Sequence, residues 1–332
     1  MNKISVIGSG AWGTALADLL GNNGYKVTIY GINENEVNEI NTLHTNKKFF
    51  NDDFVINDNV DATLSLEESV KDSFMVLLAI PSFALVDIVK KLNKLINKDV
   101  IIVNVAKGFD KETKKTFTEV IKSNLDNNKG NNIVSLLGPS FAEEVAEKQL
   151  TAITASSDNQ EASKKVQEVF SSSYFRVYTN DDVIGAEYSA ALKNVIALAS
   201  GIMDGLGYKV NTRSALITRG IAEVARYVTC FGGQFKTCLG LAGIGDLILT
   251  CSSKTSRNYT AGYTIGKYGV DYFLDNNTKT VEGIYACQIA HAISKEHNIY
   301  SPIINAVYEV IFENKDPRTK IYELMTNELK GE

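Results

Sequence analysis

Residues 4–20, ISVIGSGAWGTALADLL, pass from a short apolar run into a helical pattern through three glycines, Gly8, Gly10 and Gly13. If the run is a strand and the sequel a helix, these glycines fit G-x-G-x-x-G at the turn between them. Gly8 then permits the tight turn, Gly10 lets the backbone approach a pyrophosphate, and Gly13 lets the helix pack close to the sheet. The helix N-terminus then faces the anion. Trp12, the only tryptophan, lies inside the turn, where it either lines a bound dinucleotide or staples the helix to the sheet.

The pattern outside this stretch agrees with that reading. KVTIYG (26–31), FMVLLAI (74–80), DVIIVNVAKG (99–108), NIVSLLG (132–138) and LTAITAS (150–156) are further apolar runs separated by amphipathic or polar segments. Such alternation predicts a parallel α/β sheet. From Asn180 onward the periods become helical, as in residues 181–206 and 212–228, with no further strand expected. The expected fold is α/β: a Rossmann-type parallel-sheet domain over residues 1–180, then an all-α domain over 181–332. A length of 332 residues accommodates two domains of ordinary size.

A formal charge of −5 argues against a nucleic-acid-binding surface, while leaving room for a local basic pocket that takes a small anion. Cys230, Cys238, Cys251 and Cys287 lack metal-ligand spacing, and the chain shows neither a signal peptide nor an apolar run of membrane length. Reduced thiols, a cytoplasmic location, no membrane insertion and no metal are expected. The second strand ends in IYGINENE (29–36), with neither an acid nor an arginine directly after Tyr30. The coenzyme is therefore NAD(P)H, with the choice between its two forms open.

Five later segments carry candidate chemistry. Lys107 and Gly108 follow a buried-looking strand, and strand ends in such sheets face the ligand crevice. A lysine there attracts a phosphate, polarises a carbonyl or is merely solvated. Gly138 and Ser140 flank Pro139 at another strand end that opens a helix. Lys193 stands among Ser189, Ala190, Ile196 and Ala197 of a helical face, where it either snorkels or is desolvated. Desolvation beside a second cation such as Lys107 would lower its pKa toward that of a general base. Asp246 in LGLAGIGDLILTCSS has no evident solvated face and needs a partner, Lys193 being the attractive one; otherwise it caps a helix. Thr250 lies four residues on and shares its helical face. Thr255 or Ser256 begins another helix with Arg257 and Asn258 in its first turn, which suits a phosphate site.

The segments GSGAWGTALA, LLAIPS, AKGFD, LGPSFAEEV, EYSAALKNVIALASGI, LAGIGDL, SRN and VEG occur in this order across almost the whole chain. In them the chain resembles the soluble NAD(P)-dependent sn-glycerol-3-phosphate dehydrogenases. The resemblance implies a Rossmann domain, a helical domain like the C-terminal part of 6-phosphogluconate dehydrogenase, and reversible reduction of dihydroxyacetone phosphate to a precursor of glycerophospholipids. It implies that Lys193 is the proton acceptor in oxidation, with Lys107 adding electrostatic stabilisation. Lys107, Gly138, Ser140, Lys193, Asp246, Ser256, Arg257 and Asn258 would surround the substrate. Gly8, Gly10, Ala11, Trp12, Gly13, Lys107, Ala142, Arg257, Val281 and Glu282 match cofactor positions. Members using NADPH often carry Arg or His after the second strand, where Gly31 and Ile32 stand here, and Ala11 replaces a frequent serine. A homodimer is a further implication. The alternatives are a β-hydroxyacid or 6-phosphogluconate-type dehydrogenase and a non-catalytic dinucleotide sensor; Lys193, Lys107 and Asp246 together argue against the sensor. His44, His291 and His297 lie outside the motifs.

Overall fold

The computed structural model describes residues 3–126 and 129–326. The chain divides into two compact units after Val183, except that Lys111–Lys114 group with the second, which resumes at Ile184.

The first unit is built on one sheet of β1 (Lys3–Ile7), β2 (Lys26–Tyr30), β3 (Val60–Thr63), β4 (Met75–Leu78), β5 (Ile101–Asn104), β6 (Ile133–Leu137), β7 (Thr151–Ser156) and β8 (Phe175–Asn180). The order is β3-β2-β1-β4-β5-β6-β7-β8, so the chain switches direction of growth between β1 and β4. A crevice at such a switch is where dinucleotides bind in this architecture. Helices cover both faces, which is why the strands read as continuous apolar runs. Ile4 and Val6 pack with Leu16, Leu19 and Leu20 of the helix Ala11–Asn22, whereas Ile7 packs with Leu85, Val89 and Leu92 of the helix Leu85–Leu95.

The expectation of a parallel sheet holds from β3 to β6 and between β7 and β8, but β6 and β7 are antiparallel, with Leu137 opposite Thr154. Between them stands only the five-residue helix Ala142–Ala146. That is too little chain for a parallel crossover. Strands β3 and β8 were not expected from the sequence. Both lie at sheet edges, and exposed Asp61, Arg176 and Tyr178 interrupt their apolar character.

The second unit is helical, with no strand among the described residues after Asn180. Its long helices Val183–Gly205 and Arg257–Tyr268 cross at glycines spaced four apart on each. A Cβ on Gly201 or Gly205 would lie 2.0 Å from Tyr259 O or 2.4 Å from Tyr263 O. On Gly262 or Gly266 it would lie 2.1 Å from Leu198 O or 2.2 Å from Ile202 O. Only glycine admits this backbone-to-backbone contact. Residues Phe235–Ser252 are long and apolar enough by composition to cross a membrane, a segment not expected from the sequence. The chain breaks from helical geometry at Gly243 and buries the charged Asp246 there, so the segment is not one continuous apolar helix.

Glu223 ties two helices together. Its buried carboxylate accepts from the amides of Ile303 and Ile304 at 2.7 and 3.2 Å, where the helix Pro302–Phe312 begins. Burial pushes its pKa up to about 7, against those two bonds and the nearby Arg226 and Arg219. Because the folded pKa is raised, the stability it lends is complete below about 4.5, the unfolded value, and is lost as pH rises to about 7. Glu223→Gln mimics the protonated acid. Its Tm should match the parent near pH 4.5 and exceed it above pH 7, by the equivalent of up to ~3 kcal/mol. Thermal melts across this range check the prediction.

Candidate active site

In the first unit the glycine turn joins β1 to the helix Ala11–Asn22. Gly8 has φ +117°, and a Cβ there would strike Ala79 O at 2.4 Å; one on Gly13 would strike Gly8 O at 2.1 Å. Packing explains both glycines. Gly10 differs, since a Cβ on it meets no atom within 4 Å. It caps the helix with no side-chain bond, and no acid stands in the first turn. The first turn therefore has no side-chain acceptor, and the space over Gly10 is open, which fits a pyrophosphate. Trp12, Ala11 and Ala142 pack against the core cluster of this unit, so the staple reading of Trp12 has direct support. Gly10→Val should leave the fold intact and weaken NAD(P)H binding about tenfold or more, because the new methyls fill the space left for the anion. Titration of coenzyme fluorescence measures it; unchanged affinity would remove the phosphate from this turn.

Lys107, three residues after the buried Asn104 that ends β5, is half-buried and donates from Nζ to Gly138 O at 2.9 Å. Ser140 Oγ donates to the same carbonyl at 3.3 Å. Gly138 has φ +154° and lies against β7, its Cβ position 3.0 Å from Ile153 Cγ1. The ends of β5 and β6 thus bring a cation, a hydroxyl and a backbone carbonyl together. The helix expected after Ser140 begins at Ala142, with Phe141 as a cap that makes no side-chain bond.

In the second unit Lys193 is 6% exposed and Asp246 1%. Lys193 Nζ donates to Asp246 Oδ1 at 2.6 Å and to Thr250 Oγ1 at 2.7 Å. Thr250 Oγ1 bonds Asp246 O at 2.6 Å, one helical turn back. Asp246 is the first residue of the helix Asp246–Ser252. A lysine so buried is desolvated, not snorkelling, and a carboxylate and a hydroxyl fix its position. Cys251 lies beside this pair, but burial pushes its thiol up to about 12, which leaves it inert.

Ser256 caps the helix Arg257–Tyr268, its side chain accepting from Tyr259 N at 3.2 Å. Thr255 does not serve as the cap. Arg257 is exposed in the first turn, on a groove of about 400 Å³ that also carries Lys254, Lys279, Thr260 and Thr264 and no carboxylate. Asn258 faces inward: Nδ2 donates to Asn194 Oδ1 at 2.9 Å, and Oδ1 accepts from Gly283 N at 2.9 Å. Val281 caps the helix Glu282–Glu296, so Asn258 links the VEG segment, through Gly283 N, to Asn194, the residue after Lys193. Asn194 is a site residue the sequence reading did not single out. Its Nδ2 is buried without a partner, a donor available next to the lysine. The glycine crossing between the two helices sets this spacing, and glycines four apart on both helices were its signal.

Comparison with known proteins matches residues 3–163 to the N-terminal domain of NAD-dependent glycerol-3-phosphate dehydrogenase and residues 182–322 to its C-terminal domain. Glycerol-3-phosphate dehydrogenase (NAD(P)+) of Limosilactobacillus reuteri is 42% identical over 99% of this chain and 98% of its own length. That of Staphylococcus haemolyticus is 40% identical over the whole of both. The crystal structure of glycerol-3-phosphate dehydrogenase from Coxiella burnetii superposes with a TM-score of 0.89 at 33% identity, covering 98% of this chain and 99% of that one.

Proposed function

The chain belongs to the NAD-dependent glycerol-3-phosphate dehydrogenases, and from that premise we propose how its residues divide the work. The enzyme interconverts dihydroxyacetone phosphate and sn-glycerol 3-phosphate. A nicotinamide coenzyme, NADH or NADPH, supplies or accepts the hydride at C2. Family membership sets aside the β-hydroxyacid and sensor alternatives.

Residues 1–180 hold the coenzyme, with Gly8, Gly10, Ala11, Trp12 and Gly13 around its pyrophosphate and Ala142 beside it. Residues 181–332 hold the substrate and add Arg257, Val281 and Glu282 to the coenzyme contacts. In oxidation the C2 hydroxyl gives its proton to Lys193 Nζ; in reduction the Lys193 ammonium returns it to the oxygen as negative charge develops. Asp246 and Thr250 keep that nitrogen in place, and Asn194 Nδ2 offers a second donor to a substrate oxygen. Lys107 stabilises the developing charge, while Gly138 and Ser140 orient the substrate. Ser256, Arg257 and Asn258 take the phosphate at a helix N-terminus. The observation that carries this assignment is the burial of Lys193 against Asp246 and Thr250. The carboxylate and the hydroxyl offset the cost of burying this lysine, and a buried lysine held in one position by such partners is a candidate proton donor and acceptor.

Exposed Val210, Phe235 and Leu239 on the helical unit support a homodimer, and four free thiols support a cytoplasmic location. An absorbance assay of reduced coenzyme with dihydroxyacetone phosphate tests the activity. Oxidation of NADH or NADPH that needs this substrate is the expected result, and none with either coenzyme would overturn the reading.

A further inference from the structure

The end of β2 is where a dinucleotide fold reads the 2′-position of the adenosine ribose, by an acid for the hydroxyl or a cation for the 2′-phosphate. Here residue 31 offers backbone only, because a Cβ on buried Gly31 would lie 3.0 Å from Val37 Cγ2 and 3.1 Å from Ser9 Oγ. Ile32 follows and is 87% exposed. Asn33 Oδ1 accepts from the amides of Asn35 and Glu36 at 2.9 and 3.3 Å, so these donors of the helix Glu34–Leu43 are already taken.

Glu36, in the first turn of that helix, reaches back to the glycine turn. Ser9 Oγ donates to its Oε2 at 2.7 Å, and Lys48 Nζ donates to its Oε1 at 2.6 Å. Burial opposes its charge, but the bonds from Lys48 and Ser9 outweigh burial and hold the carboxyl below the usual glutamate range. A carboxylate is therefore fixed against the residue between Gly8 and Gly10. Lys48 is committed to it, and the neighbouring Lys47 pairs with Asp52 at 3.0 Å.

We infer that this enzyme selects NADH over NADPH, through the apolar Ile32 and the carboxylate of Glu36 at the end of β2. The inference rests on the dehydrogenase reading and concerns which form of the coenzyme that site takes. A 2′-phosphate brings up to two negative charges toward Glu34 and toward a Glu36 carboxylate that already holds Lys48, while Lys47 holds Asp52, so either lysine must leave a carboxylate to meet it. A neutral 2′-hydroxyl meets no such repulsion, and Ile32 gives the adenosine an apolar surface.

Dissociation constants for NADH and NADPH, from coenzyme fluorescence, test this without turnover. NADH should bind at least ~10-fold tighter. Ile32→Arg supplies a guanidinium at an exposed position and should shift the ratio ~10-fold toward NADPH. Equal or tighter binding of NADPH by the parent protein overturns the inference, as does an unmoved ratio in Ile32→Arg. Lys48→Ala should leave the ratio or raise it. A selective loss of NADPH binding in that variant means that Lys48 leaves Glu36 for the phosphate, and it also overturns the inference. Absence of turnover with dihydroxyacetone phosphate and either coenzyme strikes the dehydrogenase reading instead, and the binding ratio still judges the inference.

Discussion

Lys193→Ala is expected to lower kcat by ~10²- to 10⁴-fold, the usual contribution of a positioned acid or base. Coenzyme binding should stay close to that of the parent, because the glycine turn belongs to the first unit and Lys193 to the second. Stability should fall as well. The substitution strands Asp246 at 1% exposure without its cation, and breaking a buried pair in this way typically costs ~3 to 5 kcal/mol. The two effects separate in the double variant Lys193→Ala, Asp246→Ala, which should regain part of the lost Tm and none of the turnover. Single-turnover kinetics at saturating coenzyme provide the measurement. A folded Lys193→Ala protein with more than about a tenth of the parent kcat would remove this lysine from proton transfer.

Arg257→Lys is expected to reduce kcat/KM for dihydroxyacetone phosphate roughly 10- to 150-fold, as for loss of a charge-assisted hydrogen bond of ~1.5 to 3 kcal/mol. The charge is kept, but the planar fork that binds two phosphate oxygens at once is not. Arg257 is exposed at the first helical residue after the Ser256 cap, so folding should be unaffected. Unphosphorylated dihydroxyacetone is the control, since it lacks the group the guanidinium is proposed to hold. Its weak turnover should change much less. Equal proportional losses for the two substrates at saturating coenzyme would leave Arg257 with the coenzyme or with the fold alone.

Lys193 and Asp246 were visible in the sequence because each breaks a local pattern. A lysine among alanines and isoleucines and an aspartate among glycines and leucines demand partners, and the structure pairs them at 2.6 Å. The glycine turn was visible for a related reason: three glycines at fixed spacing have no use in an ordinary helix start. What stayed hidden has no such local mark. The antiparallel return from β6 to β7 depends on the shortness of what lies between, and an apolar run carries no direction. Edge strands β3 and β8 are half polar because water covers one side of them. Glu223 was illegible because its partners are backbone amides eighty residues away, and Asn194 because an amide in a helix looks ordinary until its surroundings close over it.

The glycine crossing of the helices Val183–Gly205 and Arg257–Tyr268 makes the catalytic register a mechanical property of the scaffold. Where side chains separate two helices, a changed residue is absorbed by rotamers, and the axes shift little. Here carbonyls and amides touch, so the seam has no such cushion. One added methyl at Gly262, a turn along from Asn258, must pry the helices apart as rigid bodies. Displacement at the seam is then delivered to the Asn258–Asn194 bond and to Lys193 beside it. Errors of about 1 Å in such alignment cost of the order of 10²-fold in rate. Substitutions at Gly201, Gly205, Gly262 and Gly266, none of them among the residues assigned to the substrate, should therefore behave as misalignments of a jig: a protein that remains largely helical, with its coenzyme still bound, and a reaction that runs slowly.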